Sequence, residues 1–408
     1  MSLLYDLILY FLLLISFPKL LYDYLFKGKY RKSLFARISP LLPKVTKKPV
    51  IWLHAVSMGE TKALSTLVPH IRKTYPEAFI YVTTISETGQ EEAKKRILDA
   101  DAISYLPLDF SWIIKSFVRK LSPSLLILVE GDYWFNLIKE AKRVGAKIVV
   151  VNGKLSEKSL KRYLAVRFFS RQIFGSIDHF CLQGESYLER FLKLGIRPEN
   201  LIITGNLKFD IPGEEKEDLE EFKKRFNIKL NDRVITLGST HEGEEELLYK
   251  SLIPALTMDP HLKILMVPRH PERFSRVKNL IHHPQITVVD QMGILPMCYR
   301  LSHIAIVGGS FIKGIGGHDI FEPAKMGVPT LYGPYMYKQV DLDRGMTESG
   351  AGIKVTQLHL LEAAEKLLND SKFHFEMGEK GKHFAQKVMG ASFRTWKEIT
   401  SNISLEKN

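Results

Sequence analysis

Four charged side chains stand where the chain turns out of apolar runs. Glu60 lies in HAVSMGE (54–60), Glu130 in VEGDYWFN (129–136), Lys208 in TGNLKFD (204–210) and Arg269 in PRHPER (268–273). A carboxylate at such a turn can act as general base, taking a proton from an attacking hydroxyl. Glu60 also opens a helix, where a carboxylate can be no more than a favourable dipole contact. Glu130 ends the apolar run SLLILVE (124–130), so half-burial is expected and the carboxylate must be paired or functional. Lys208 can meet negative charge on a substrate, or be an ordinary solvated lysine. Arg269 follows a strand-like run and can clamp a phosphate or carboxylate bidentately.

The stretch from Arg269 to Pro334 adds a nucleotide-like pattern: PRHPER, then VGGSF, then GGHDIFEPAKMGVPTLYGP. Glycines 308, 309, 316 and 317 would let backbone approach an anion and expose N–H groups to it. FEPAKMG starts as a helix, and helix N-termini favour phosphate. Glu322 in its first turn can accept hydroxyl hydrogen bonds from a ribose. Gly238, Ser239 and Thr240 in GSTHEGEEE resemble another anion-binding, helix-capping turn. TTISETG (83–89) can either hold a phosphate or sugar, or cap the next helix through Ser86 or Thr88.

The elements that must position these residues alternate. PVIWLHAV (49–56), AFIYVTT (78–84), SLLILVE and KIVVVNGKL read as buried strands, and IDHFCLQ and LIITGN continue them. Between them lie helical patterns such as MGETKALSTLVPHIRKTYP, ETGQEEAKKRIL and NLIKEAKRVG. The pattern restarts after the acidic PGEEKEDLEEFKKRF (212–226), with RVITLGST, LKILMVPRH, ITVVD, IAIVGGS and PTLYGP. Short apolar strands alternating with helices imply parallel sheets covered on both faces. The expectation is an α/β chain of two Rossmann-like doubly wound domains, residues 31–210 and 211–408, linked near Phe209–Lys216. Ligands in such sheets bind beyond the carboxyl ends of strands, which makes each strand-end motif a candidate.

Residues 1–30 read differently. Leu7 to Phe17 is apolar apart from Ser16, and Pro18-Lys19 and LLYDYLF follow. The run is shorter than the roughly 20 residues of a clean span, and no small-residue cleavage site follows. An uncleaved membrane anchor, inserted or interfacial, is expected. From Lys27 to Lys48 there are eight Lys or Arg and no acid, suited to anionic lipid on a cytoplasmic face. The formal net charge of +13 over 408 residues also calls for an anionic partner. Nucleic acid is disfavoured, because the basic cluster sits beside an apolar anchor and not along an aromatic-rich sheet. Cys181 and Cys298 are too far apart in sequence for a disulfide framework, and no metal-ligand spacing is present.

In order, HAVSMGE, TTISETG, VEGDYWFN, TGNLKFD, GSTHEGEEE, PRHPERF and GGSF…GGHDIFEPA resemble the 3-deoxy-D-manno-oct-2-ulosonic acid (Kdo) transferases of Gram-negative bacteria. The resemblance runs over nearly the whole chain. It implies a GT-B type fold that moves Kdo from CMP-Kdo to the lipid A precursor, at the cytoplasmic face of the inner membrane. No metal or cofactor is implied. By resemblance Glu60 is the proton acceptor, and Glu130 and Lys208 stabilise the transition state. Pro268, Arg269, Met292, Gly293, Ile294, Asp319, Ile320, Phe321 and Glu322 match CMP contacts. The chain departs from the family pattern at Gly131, Asp132, Phe135, Ile294, Asp319, Lys338 and Gln339; none of these removes the proposed base or the ribose carboxylate. Another nucleotide-sugar transferase with a lipid acceptor, or a non-catalytic nucleotide-sugar-binding membrane protein, would share much of the pattern.

Overall fold

The computed structural model describes residues 1–28, 33–213 and 218–405. It divides into two compact units, Met1–Ile211 with Met389–Asn408, and Pro212–Val388.

The first unit is built on seven parallel strands. They are β1 Val50–His54, β2 Phe79–Thr84, β3 Ala102–Tyr105, β4 Leu125–Val129, β5 Lys147–Gly153, β6 His179–Leu182 and β7 Leu201–Ile203. Their order across the sheet is β3-β2-β1-β4-β5-β6-β7. Side chains alternate faces along a strand. Val50 and Trp52 of β1 join Phe117, Leu126 and Phe180 on one face, whereas Ile51 and Leu53 join Leu64, Ile80 and Ile127 on the other. Both faces are buried, which is why these strands read as continuous apolar runs.

The second unit carries six parallel strands: β8 Arg233–Thr240, β9 Leu262–Pro268, β10 Ile286–Val288, β11 Ile304–Val307, β12 Thr330–Tyr332 and β13 Gly352–Lys354. Their order is β10-β9-β8-β11-β12-β13. In each unit the winding reverses between the first and fourth strands, β1 beside β4 and β8 beside β11. Connections leave such a point in opposite directions and open a crevice at the strand carboxyl ends.

Several elements differ from the sequence-based expectation. The segment read as one helix after β1 is two, Met58–Ser65 and Val68–Thr74, with Pro69 tolerated in the first turn of the second. Residues 389–405, expected with the second half, pack on the first. Trp396 and Ile399 of the helix Ala391–Asn402 bury themselves against Leu64, Ile71 and Val151. The Asp210 carboxylate caps that helix, accepting from Gly390 N–H (2.6 Å) and Ser392 N–H (2.7 Å). Of the expected link, Phe209 lies in the short 3₁₀ turn Leu207–Asp210 of the first unit. Glu214 to Lys216 lie outside the described residues, as do Lys29, Arg31 and Lys32 of the basic stretch.

The helix Ser2–Phe26 is, among the described residues, long and apolar enough to cross a membrane. Its side chains from Leu7 onward are largely exposed, whereas Asp6 is buried. Asp6 accepts hydrogen bonds from Ser111 N–H (3.0 Å), the Ser111 hydroxyl and the Asn136 amide (2.9 Å). Tyr10 stacks on Phe110 with ring centroids 4.5 Å apart. The helix is thus pinned to the first unit by a polar bolt at its start. Replacing Asp6 by alanine removes the acceptor of three donors, one of them buried and two half-buried, and is expected to destabilise the unit by about 2–4 kcal/mol. Thermal melts of the full chain in detergent check this; a melting temperature unchanged from wild type would refute the pinning role.

Candidate active site

In the first unit the candidates gather at the carboxyl ends of β1, β4 and β5. Ser57 is the N-cap of helix Met58–Ser65, and its hydroxyl accepts the Glu60 N–H. The Glu60 carboxylate accepts from the Ser57 hydroxyl (2.9 Å) and from Val56 N–H (2.8 Å). This is a capping box drawn back by one residue. Glu60 therefore does serve the helix terminus, and the same bonds fix where its carboxylate points. Burial raises its pKa, the Val56 N–H opposes that rise, and the negative charges of Glu130 and Asp132 add to it.

Glu130 stands one residue beyond β4 with a left-handed backbone (φ 64°) and is only 4% exposed. A buried carboxylate needs partners, and it has three. The Lys208 ammonium lies 2.7 Å away, Lys154 forms a second ion pair, and the Asn152 amide donates at 3.2 Å. Burial would raise the Glu130 pKa, but the Lys208 and Lys154 charges outweigh it and hold the carboxyl below the usual range. Burial disfavours charge on Lys154 too, yet Glu130 and Glu60 keep its ammonium protonated. Asn152 also accepts Leu207 N–H through its side chain (2.9 Å). It thereby ties the turn carrying Lys208 to the end of β5. The result is a fixed cluster of two acids and two ammoniums flanking the point where the winding reverses.

Lys154 and Asn152 escaped the sequence reading. They fall at the tail of KIVVVNGKL, taken whole as a strand. The signal was present: an Asn-Gly-Lys directly after an apolar run is a strand end, and strand ends are candidates. TTISETG resolves to its capping alternative. Ser86 is the N-cap of the helix Glu87–Arg96 and accepts Gly89 N–H at 3.0 Å.

In the second unit β8, β9 and β11 end together. Glu244, fully buried in the first turn of helix Glu244–Met258, accepts from Gly309 N–H (2.6 Å), Phe311 N–H (2.8 Å) and His241 N–H (3.0 Å). Gly308 must be glycine because a Cβ there would lie 2.8 Å from the Ser239 carbonyl oxygen and the Thr240 Cα. The expected use of the glycine-rich turn is thereby corrected for Gly308, Gly309 and Gly317. Gly308 N–H bonds to Gly238 O, Gly309 N–H to Glu244 and Gly317 N–H to Gly309 O, so these donors are satisfied inside the protein. The helix expected at FEPAKMG is likewise short, Phe321–Lys325, and the Asp319 carboxylate occupies the Phe321 N–H at 2.9 Å. Its dipole is correspondingly small.

What the turn presents instead is side chains. Arg269 follows Pro268 at the end of β9, its N–H on Thr240 O (3.0 Å), its side chain exposed. Among the described residues its guanidinium makes no ion pair. His241 and His318 approach Nε2 to Nε2 at 2.6 Å, and the His270 ring lies 5.1 Å from His241. Burial pushes the His241 and His318 pKa values down to about 4, with His270, Arg269 and Lys338 adding to the fall. Ile320 and Phe321 are buried and Glu322 is half-buried. Both Glu322 and Asp319 act on Tyr299, whose phenol lies against Gly238. Tyr299 belongs to the helix Leu295–Leu301, entered through exposed Met292, Gly293 (φ 84°) and Ile294, which packs towards the core. The segments at 268–269, 292–294 and 319–322 thus share one end of the second sheet. Among the described residues no group of side chains is placed to hold a metal ion.

Comparison with known proteins shows the family of the chain. A family model described as 3-deoxy-D-manno-octulosonic-acid transferase matches residues 32–211. The chain is 35% identical to the 3-deoxy-D-manno-octulosonic acid transferase of Chlamydophila psittaci, over 99% of this chain and 97% of that one. It is 32% identical to the enzyme of that name from Haemophilus influenzae, over 84% of each. In fold it is similar to a glycosyltransferase from Rickettsia africae, with a TM-score of 0.64 at 15% identity, covering 88% of this chain and 98% of the other. Identity at that level over the full length, on two doubly wound α/β units, means that the chain belongs to the 3-deoxy-D-manno-octulosonic acid transferase family of glycosyltransferases.

Proposed function

We propose that this enzyme transfers Kdo from CMP-Kdo to a lipid A precursor, with inversion, without a metal, and with Glu60 as general base. The observation that carries the reading is the Glu60 carboxylate: held by two hydrogen bonds, raised in pKa, and set beside the Glu130–Lys154–Lys208 cluster. A base poised above the ordinary carboxylate range accepts a hydroxyl proton more readily. The acceptor oxygen, as it loses its proton to Glu60, forms a bond to the Kdo anomeric carbon. The bond from that carbon to phosphate breaks, and CMP leaves with the electron pair. Glu60 then returns its proton to solvent. The paired ammoniums supply fixed positive charge against the negative charge that develops. Arg269 is suited to the CMP phosphate and Glu322 to the ribose hydroxyls, with the segments at 292–294 and 319–322 around the nucleotide. The exposed helix Ser2–Phe26 and the basic residues that follow hold the first unit to the inner membrane at its cytoplasmic face, where anionic lipid and the lipid acceptor lie.

The experiment is release of CMP from CMP-Kdo, with and without detergent-dispersed lipid A precursor. Release that depends on the acceptor supports the reaction; none with any lipid acceptor overturns it. Nucleotide choice is checked separately by thermal protection. CMP at about 100 times its Kd stabilises by about 2.7 kcal/mol, whereas UDP at the same concentration is expected to leave the melting temperature unchanged. Arg269→Ala weakens CMP protection. Protection by UDP alone would move the chain to a different donor.

A further inference from the structure

We propose that His241, His270 and His318 form, with Arg269 and Lys338, an anion clamp that takes up a proton when the phosphodiester of a nucleotide sugar binds. The inference rests on the nucleotide reading of the second unit and deepens it.

The geometry of the histidine pair sets its chemistry. Two imidazole nitrogens 2.6 Å apart cannot both be bare, because their lone pairs would repel; one proton must lie between them. With that single proton the pair is neutral. One ring donates through Nε2, the other accepts and carries its own proton on Nδ1. A third proton, added to the free Nδ1 of the donor ring, makes a monocation with a charge-assisted N–H···N bond. The pair is therefore built to exist in two charge states without changing its contact. Gly309, with φ 68°, packs against the His318 ring, where a Cβ would lie 2.5 Å from the ring carbon Cδ2.

The surroundings decide which state is present. Facing the pair are Arg269, His270 and Arg273 from the turn after β9, and Lys338 from the turn after β12. Nearby acids are engaged, all but Glu272 outside the clamp. Glu244 takes three backbone N–H groups, Glu245 and Glu242 pair with Arg273 at 3.1 and 3.7 Å, Glu242 also pairs with Arg276, and Glu272 lies 3.8 Å from His270. Asp319, next to His318, caps Phe321. The cluster thus has a surplus of positive charge, and burial with that surplus keeps both rings neutral at neutral pH, their pKa values down at about 4. An anion seated on Arg269 and Lys338 cancels the repulsion. The histidine pKa then rises and a proton binds with the anion.

The sign follows from linkage. A group whose pKa is low in the free protein and higher in the complex makes the ligand bind more tightly as pH falls. The probe is the methyl ester of cytidine 5′-monophosphate, a phosphodiester that does not itself titrate between about pH 5.5 and 8. Calorimetry of the full-length protein in two buffers of different ionisation enthalpy counts the protons directly. The expected result is uptake of part of a proton, growing as pH falls towards the pKa values of about 4 of the free pair, with affinity rising in step by at most about tenfold per pH unit. His318→Gln and His241→Gln keep a polar side chain and lose the uptake, so their affinity becomes independent of pH. Binding by wild type with no proton uptake overturns the clamp while leaving the nucleotide site standing. Uptake that survives in both variants overturns it as well. Absence of binding by wild type overturns the nucleotide reading and the clamp together.

Discussion

Replacing Glu60 by glutamine slows Kdo transfer by about two to four orders of magnitude and leaves the melting temperature close to that of wild type. The two halves of that expectation rest on different atoms. The glutamine carbonyl can still accept the Val56 N–H, and the Ser57 hydroxyl can turn to accept from the amide, so the helix terminus keeps its cap. What disappears is the basic lone pair. Glu60→Ala removes the basic lone pair and also the carboxylate's bonds to Val56 N–H and the Ser57 hydroxyl, while Ser57 still caps the helix, so its added cost in stability is about 1–3 kcal/mol, that of a buried donor left without its acceptor. Measuring rate and melting temperature for the two variants side by side separates the base from the cap. A glutamine variant within about threefold of wild-type activity would leave Glu60 with its capping role alone.

The pH profile tests the same residue from another side. A general base works only when ionised, so kcat/KM falls as pH drops through the Glu60 pKa. Burial first, and then Glu130 and Asp132, raise that pKa. The acid limb is therefore expected above the ordinary glutamate value of about 4.3. In Glu130→Gln one neighbouring negative charge is gone while Lys154 and Lys208 remain. The limb in that variant is expected to move to lower pH, on top of a reduced rate. A limb that stays in place or rises would detach Glu60 from the profile.

How far such a site can be read from sequence depends on the range of the interaction. Strand ends were legible because a buried parallel strand is a continuous apolar run and its end is marked by Gly, Pro or charge. Glu60, Glu130 and Arg269 were found that way. The Glu130–Lys154 and Glu130–Lys208 pairs were not, since each joins the ends of different strands and leaves no local period. The same holds for the final helix: its amphipathic pattern says that it packs, and nothing in it says on which unit. The glycines of GGSF and GGHD were legible as necessary, but the reason was misjudged. A Cβ at Gly308 is excluded by the backbone of the neighbouring turn, so protein packing, not an anion, requires that glycine. Within HEGEEE, Glu244 and Glu245 of the first helical turn are fully buried, whereas Glu242 before the helix is exposed, a division that the run of like charges does not show.

Glu244→Ala is accordingly expected to be among the most damaging single changes in the second unit, costing about 3–5 kcal/mol through its stranded N–H donors. Its two carboxylate oxygens satisfy three N–H groups, two buried and one half-buried: Oε2 accepts from Gly309 and His241, and Oε1 accepts from Phe311. Alanine strands all three, at about 1–3 kcal/mol for each buried donor, less whatever the loop recovers by relaxing. Glutamine keeps the carbonyl at the Oε2 position but turns an NH₂ group towards Phe311 N–H, so its expected loss is intermediate. Glu242→Ala is the matched control. Glu242 is exposed and its ion pairs with Arg273 and Arg276 lie at the surface, so its removal costs about 0–1 kcal/mol. Denaturation of the three variants checks the order, and nucleotide protection of each, below its melting temperature, checks the consequence. Gly309 lies against His318, so a loop released from Glu244 shifts the histidine pair and weakens binding of the phosphate as well. A Glu244→Ala protein as stable as Glu242→Ala would mean that the turn at the end of β11 holds its shape without the buried carboxylate, and the account of how this sheet end is organised would fail there.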